Sequence, residues 1–130
     1  LGYGVLDTAA ARFRDVTAGH PAPLYLPAAG SPRPVAAGGL PVGMIEDARY
    51  ESESLRLEPG DRLYFYTDGV IEALDAHEQP FGEARLLSEI HRLRDRDLRE
   101  GLDELAGAVS RWCGGDLRDD VTLLAVERGR

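Results

Sequence analysis

The 130-residue sequence contains no lysine, so all 15 of its basic residues are arginine, and they face 23 acidic residues for a formal net charge of −8. A chain without a basic excess lacks the cationic face that nucleic-acid phosphates require, and it disfavours docking on anionic lipid. A single cysteine, Cys113, excludes an internal disulfide framework and fits a reducing cytoplasm. Beside Trp112 it reads as a packing residue. No apolar run approaches the ~18 residues of a membrane span. The N-terminus lacks the basic-then-apolar pattern of a secretory signal. It also lacks methionine: the chain begins at Leu1, in strand-like sequence, which predicts a piece cut from something longer. There is no internal repeat and no low-complexity linker.

A hydrophobic share of 43% with 29% charged residues is that of an ordinary soluble globular protein, one domain or part of one, long enough to bury a real core. The sequence is organised around Asp61 to Ala73. Leu63-Tyr64-Phe65-Tyr66 reads as a buried strand. It stops at Asp68-Gly69, where a carboxylate meets the residue most tolerant of unusual backbone angles. Near the C-terminus the pattern returns reversed, with Asp119-Asp120 directly before an apolar strand from Val121 to Val126.

Taken in order, strands are expected at 1–7 and 12–16, joined as a hairpin through Asp7 to Ala11, then at Leu24 to Leu26 and weakly at Val35-Ala36. Gly38 to Gly43, rich in Gly with Pro41, predicts an ordered loop or tight bend. A strand from Tyr50 to Leu57 ends in Glu58-Pro59-Gly60-Asp61, where Pro then Gly suits a type II turn. That turn is expected to pair this strand antiparallel with the one at 62–66. From Glu83 the period becomes helical: Leu86, Leu87, Ile90 and Leu93 share a face. After a charged break, Leu98, Leu102, Leu105, Val109 and Trp112 form a second apolar stripe, capped by Asp97 and stopped by Gly114-Gly115. Many strands, two adjacent helices and a last strand argue for an α+β fold of antiparallel sheets with helices on a face, not a doubly wound parallel sheet.

Two acidic strand ends, at Asp68 and Asp119, are suited to converge on one hard cation, because a core strand limits a ligand's movement. Spacing alone does not establish this, since Asp-Gly is a common turn pair. His20 lies in a bend motif, and His77 and His91 read as solvent-facing. Arg118 has the donors to clamp a phosphate, though a surface pairing with the acidic loop is the simpler expectation. Glu72 and Asp75 follow the strand as candidate supporting groups behind the ligands, with ordinary exposed acids the simpler expectation.

The segments Ala18-Gly19-His20-Pro21, Gly38 to Gly43, Leu57 to Asp61, Tyr66-Thr67-Asp68-Gly69-Val70, Phe81-Gly82 and Asp119 to Leu123 occur in the order seen in bacterial SpoIIE-type serine phosphatases. The chain therefore resembles this branch of the metal-dependent (PPM, type 2C-like) protein phosphatases, over nearly its whole length. The resemblance implies a two-layer antiparallel β-sandwich flanked by helices, with residues 1–130 forming a partial domain whose N-terminal part is absent. It implies that Asp68 and Asp119 bind metal, with Gly69 and Asp120 as further metal or supporting positions, and no separate catalytic side chain. It implies Mn²⁺ or Mg²⁺, two ions in the complete domain, holding a water that attacks phosphoserine or phosphothreonine. The implied partner is a phosphorylated regulatory protein of the anti-sigma-factor-antagonist type, in the cytoplasm.

Two departures stand out. Thr17 replaces the Asn usual before Ala-Gly-His, with an expected effect on strand packing. The first metal motif, Asp-x-x-Gly-x-Gly, does not occur, so the Asp that bridges the two metals in the family is missing. Two carboxylates alone should hold Mg²⁺ weakly. The expectation is little or no phosphatase activity from this chain alone. The alternatives are an inactive phosphatase-like binding module, or a truncated fragment that associates with itself through an exposed sheet edge.

Overall fold

A computed structural model describes residues 2–35, 46 and 52–130. The loop expected at Gly38 to Gly43, and the positions Leu1, Ala36 and Tyr50, lie outside the described residues. The chain divides into two compact units, Leu1–Leu63 with Glu127–Arg130, and Tyr64–Val126.

In the first unit, β1 (Gly2–Asp7) and β2 (Arg12–Thr17) form the expected antiparallel hairpin. Its turn is held by Asp7, whose carboxylate accepts from the N–H groups of Ala9 and Ala10. On β2, Phe13, Asp15 and Thr17 are buried while Arg12 and Arg14 are exposed, the alternation that a pleated strand imposes. Thr17 ends that strand, and its hydroxyl donates to Asp15 at 2.6 Å, consistent with a packing role. β3 (Leu24–Leu26) pairs antiparallel with β4 (Arg33–Pro34). This short strand stands where a strand at Val35-Ala36 was expected; Val35 is instead buried in a bend, bonded through its N–H to the carbonyl of Pro23.

β5 (Glu53–Arg56) corrects the expected strand pairing. It lies beside β2, in a three-stranded sheet ordered β1-β2-β5, and β6 (Arg62–Tyr66) belongs to a different sheet. The turn between β5 and β6 is nevertheless of the expected kind. Gly60 has φ +88, and Asp61 N–H closes it onto the carbonyl of Glu58 at 3.0 Å. The residues beyond it are tied to the C-terminus: Gly60 N–H bonds Arg128 O, and Arg128 N–H bonds Asp61 O. A turn of this type reverses the chain but does not by itself choose a strand's partner. Here the C-terminal segment takes that place.

β6 is buried at four of its five positions, so it shows no polar alternation and reads as one apolar run. Its neighbour is β7 (Leu123–Glu127). Arg62 pairs with Glu127 at one end, while Thr67 bonds Thr122 just beyond the other, so the two run antiparallel. β7 starts two residues later than the sequence implied, because Val121 and Thr122 complete the approach to Thr67.

The second unit carries the helices. α1 (Asp68–Ile71) is a single turn, α2 spans Gly82–Arg92 and α3 spans Leu98–Trp112. Arg92 lies near Glu104 while Phe81 meets Trp112, so α2 and α3 are antiparallel. Leu86, Ile90, Leu93, Leu105 and Val109 are each 1–2% exposed. Full burial of such side chains contributes roughly 1.5–3 kcal/mol apiece. Asp97 caps α3 by accepting from the N–H groups of Arg99 and Glu100. At its far end Gly115 N–H reaches Ser110 O and Gly114 N–H reaches Arg111 O, the paired bonds of a Schellman stop. Trp112 departs from its expected place in the helix core. It is half-buried at the helix edge, with Nε1 donating to Gln79 O at 3.0 Å.

Candidate metal centre

The candidate centre lies wholly within the second unit. β6 ends at Tyr66, and Thr67 enters α1 in extended conformation without capping it. The Thr67 side chain is engaged elsewhere: its hydroxyl donates to Asp120 O at 3.3 Å and accepts from Thr122 N–H at 3.0 Å. A backbone bond from Thr67 N–H to Thr122 O, 3.2 Å, completes the clasp. The Thr-Asp-Gly segment and the Asp-Asp segment, far apart in sequence, are thus held against each other.

Gly69 makes the contact tight. A Cβ built there would sit 2.2 Å from the carbonyl oxygen of Asp120. Its φ is not in the left-handed region, so the expectation of an unusual backbone angle is corrected. The glycine is needed for close approach of two backbones.

Gly69 and Asp119 line one cleft of about 140 Å³, together with Glu72, Ala73, Leu117 and Arg118. Asp119 is exposed, with Oδ1 accepting from Asp120 N–H at 2.7 Å. Asp68 is exposed at the first position of α1, and its carboxylate makes no hydrogen bond or ion pair among the described residues. Asp120 is also exposed, contributing its carbonyl to the clasp. Glu72 opens into the cleft as an outer candidate. Asp75 does not: its Oδ1 accepts from the N–H groups of His77 and Gln79, and the Gln79 bond holds its carboxyl below the usual range. His77 and His91 are exposed, as expected. Arg118 pairs with Asp116 at 3.8 Å.

Sequence reasoning passed over Tyr66 and Glu83. Burial, then the charges of Glu83 and Asp68, push the Tyr66 phenol up to about 12. The signal was available, since Tyr66 stands two places before Asp68 on a strand buried on both faces.

Exposed carboxylates on abutting segments are hard oxygen donors, suited to a divalent cation that retains several waters. No group of three or more His, Cys, Asp or Glu side chains able to hold a metal forms among the described residues.

The antiparallel sheets and helices are those of PPM-type phosphatase domains among the similar solved structures. The sequence matches the family described as Stage II sporulation protein E (SpoIIE) over residues 1–129, and the chain belongs to that family. It is similar to the RsbU and RsbW domains of Rv1364c from Mycobacterium tuberculosis, at 31% identity and TM-score 0.82 over 98% of this chain and 35% of that one. The SpoIIE phosphatase domain of Bacillus subtilis, from a manganese-presoaked crystal, matches at 25% identity and TM-score 0.77, covering all of this chain and 56% of that one. The phosphoserine phosphatase RsbP of Bacillus subtilis is 39% identical over 70 residues, 54% of this chain and 17% of RsbP. The chain spans a fifth or less of the curated relatives it matches. No helix among the described residues is long and apolar enough to cross a membrane.

Proposed function

We propose that this chain is the part of a metal-dependent serine/threonine phosphatase domain that carries two metal carboxylates, Asp68 and Asp119. Its substrate would be a phosphorylated regulatory protein in cytoplasmic sigma-factor signalling. The observation that supports this most is the clasp: Thr67 bonded to Asp120 and Thr122, with Gly69 against the Asp120 carbonyl. Mn²⁺ or Mg²⁺, when bound, supplies an acidified water and neutralises phosphoryl charge. The chain's own residues do the rest. Asp68 and Asp119 orient oxygen donors, Gly69 permits the backbones to meet, Thr67 fixes their register, and Asp120 and Glu72 stand behind them as outer ligands.

With two carboxylates the site binds weakly, and the isolated chain turns over little or no phosphate ester. Calorimetric titration with Mn²⁺ tests this. Weak saturable heat is expected from the wild type, and none from Asp119→Asn. Equal heats from both would remove Asp119 from the site. Manganese-dependent hydrolysis of an aryl phosphate, abolished in Asp68→Asn, would overturn the inactivity while supporting the ligands.

A second reading, self-association of this chain with another copy, draws on β1. This edge strand is exposed at every position, with Tyr3 69% and Val5 49% exposed. Unpaired edges with apolar side chains seek partners. Light scattering that stays monomeric at high concentration would sink it.

A further inference from the structure

A second cleft of the second unit, larger than the one at the acidic clasp, lies elsewhere. It lies between α2 and α3, with a volume of about 590 Å³. The small side chains of Ser88 and Ala108 leave the trough open, and Phe81 and Trp112 form one end of it, their rings 6.1 Å apart and edge to face. Three arginines line it, Arg85, Arg92 and Arg111, in a chain whose net charge is −8.

These arginines are not equivalent. Arg92 is neutralised by Glu89 at 2.8 Å and Glu104 at 3.7 Å, so the far end of the trough is electrically closed. Arg85 lies over the Trp112 ring at 4.1 Å and donates to the carbonyl oxygens of Pro80 and Phe81. The carboxylate that senses its charge is Asp75, whose Oδ1 is already taken by backbone N–H groups. Arg111 is exposed, and among the described residues neither it nor Arg85 has a carboxylate within ion-pair distance. Two cations without paired carboxylates therefore flank a half-buried indole at one end of an open groove.

We propose that this groove docks an acidic segment of a partner protein. Carboxylates would pair with Arg85 and Arg111, and an apolar side chain would lie on Trp112. A guanidinium already stacked on an aromatic face is held in place for a carboxylate, so less freedom is lost on pairing. The charge reversal against the rest of the surface steers an acidic segment there and not to the clasp. The cleft's volume of about 590 Å³ is far more than a small anion would fill. The site is independent of the metal reading, because it shares no residue with the clasp.

Trp112 is the sole tryptophan, so its emission reports occupancy directly. The 130-residue protein would be titrated with a capped peptide alternating Glu and Leu, with its Gln-for-Glu counterpart, and with inorganic phosphate. The Glu peptide should shift Trp112 emission saturably and bind less tightly as salt rises. The Gln peptide should not bind. Arg111→Glu, at an exposed position, should weaken binding about tenfold or more through like-charge repulsion. Circular dichroism would confirm that α3 persists in this variant. Anisotropy of a labelled Glu peptide, read with Arg85→Gln, keeps the test valid if that change alters the emission itself; weaker binding is again expected. Equal binding of the Gln peptide, or full affinity in both arginine variants, would overturn the proposal. The same emission shift with phosphate alone would reassign the groove to a small anion.

Discussion

Asp61 and Asp68 flank the same strand, yet the fold treats them in opposite ways. Asp61 is 2% exposed, and its carboxylate accepts from the Tyr25 hydroxyl at 2.7 Å and from the N–H groups of Ala28 and Glu58 at 2.8 Å each. Asp68 is exposed, and its carboxylate has no protein donor among the described residues. A buried carboxylate that accepts three hydrogen bonds holds chain segments together. An exposed one just past the end of a buried strand leaves its lone pairs open to solvent. The same residue type thus serves structure before β6 and stands exposed after it.

The largest expected difference comes from removing each carboxylate. Asp61→Ala would remove the acceptor shared by the Tyr25 hydroxyl and the N–H groups of Ala28 and Glu58, for a loss of roughly 1–3 kcal/mol in denaturant unfolding. Asp68→Ala should change stability by no more than about 0.5 kcal/mol. Similar losses from the two would erase the distinction.

Gly69→Ala probes the second side of the comparison. The added methyl would meet the Asp120 carbonyl oxygen at 2.2 Å, so one backbone must move. A cost of about 1–3 kcal/mol is expected, as for other overpacked sites. Heat of Mn²⁺ binding in calorimetry should fall further than stability does. Unchanged manganese binding would mean that the clasp does not shape the site.

The smallest effect is alkaline and belongs to the first side. Burial, followed by the hydrogen bond to Asp61, pushes the Tyr25 phenol from 10.0 up to about 12. The raised value means that the unfolded chain ionises first. The contribution is complete below pH 10 and is lost as pH climbs from there towards 12. Denaturation midpoints should fall over that window, and Tyr25→Phe should flatten the fall. Solvent near this half-buried ring keeps the effect modest.

The sequence was most legible where its signals were local. The stripes of α2 and α3, the Asp97 cap, the Gly114-Gly115 stop and the Pro59-Gly60 turn each depend on residues within a few positions of one another. It was least legible at the partner of β5. Pro59-Gly60 reverses the chain equally well inside a hairpin or between sheets, and the bonds from Gly60 and Asp61 to Arg128 come from the other end of the sequence. Trp112 fell between these cases. Helical spacing placed it on the apolar face, but its indole N–H required an acceptor, found at Gln79, and this keeps the ring at the edge of the core.

Residue order alone therefore determined the types of the longer elements, the cap and stop of α3, the acidic character of the candidate site and the family, but not the short α1 or the place of β4. Tertiary structure decided which strands are neighbours, why residue 69 must lack a side chain, and which carboxylates are consumed by the fold. The physical reason is range. Capping, periodicity and turn preference act along a few residues of backbone, whereas close approach and the pairing of buried donors depend on segments brought together only when the chain has folded.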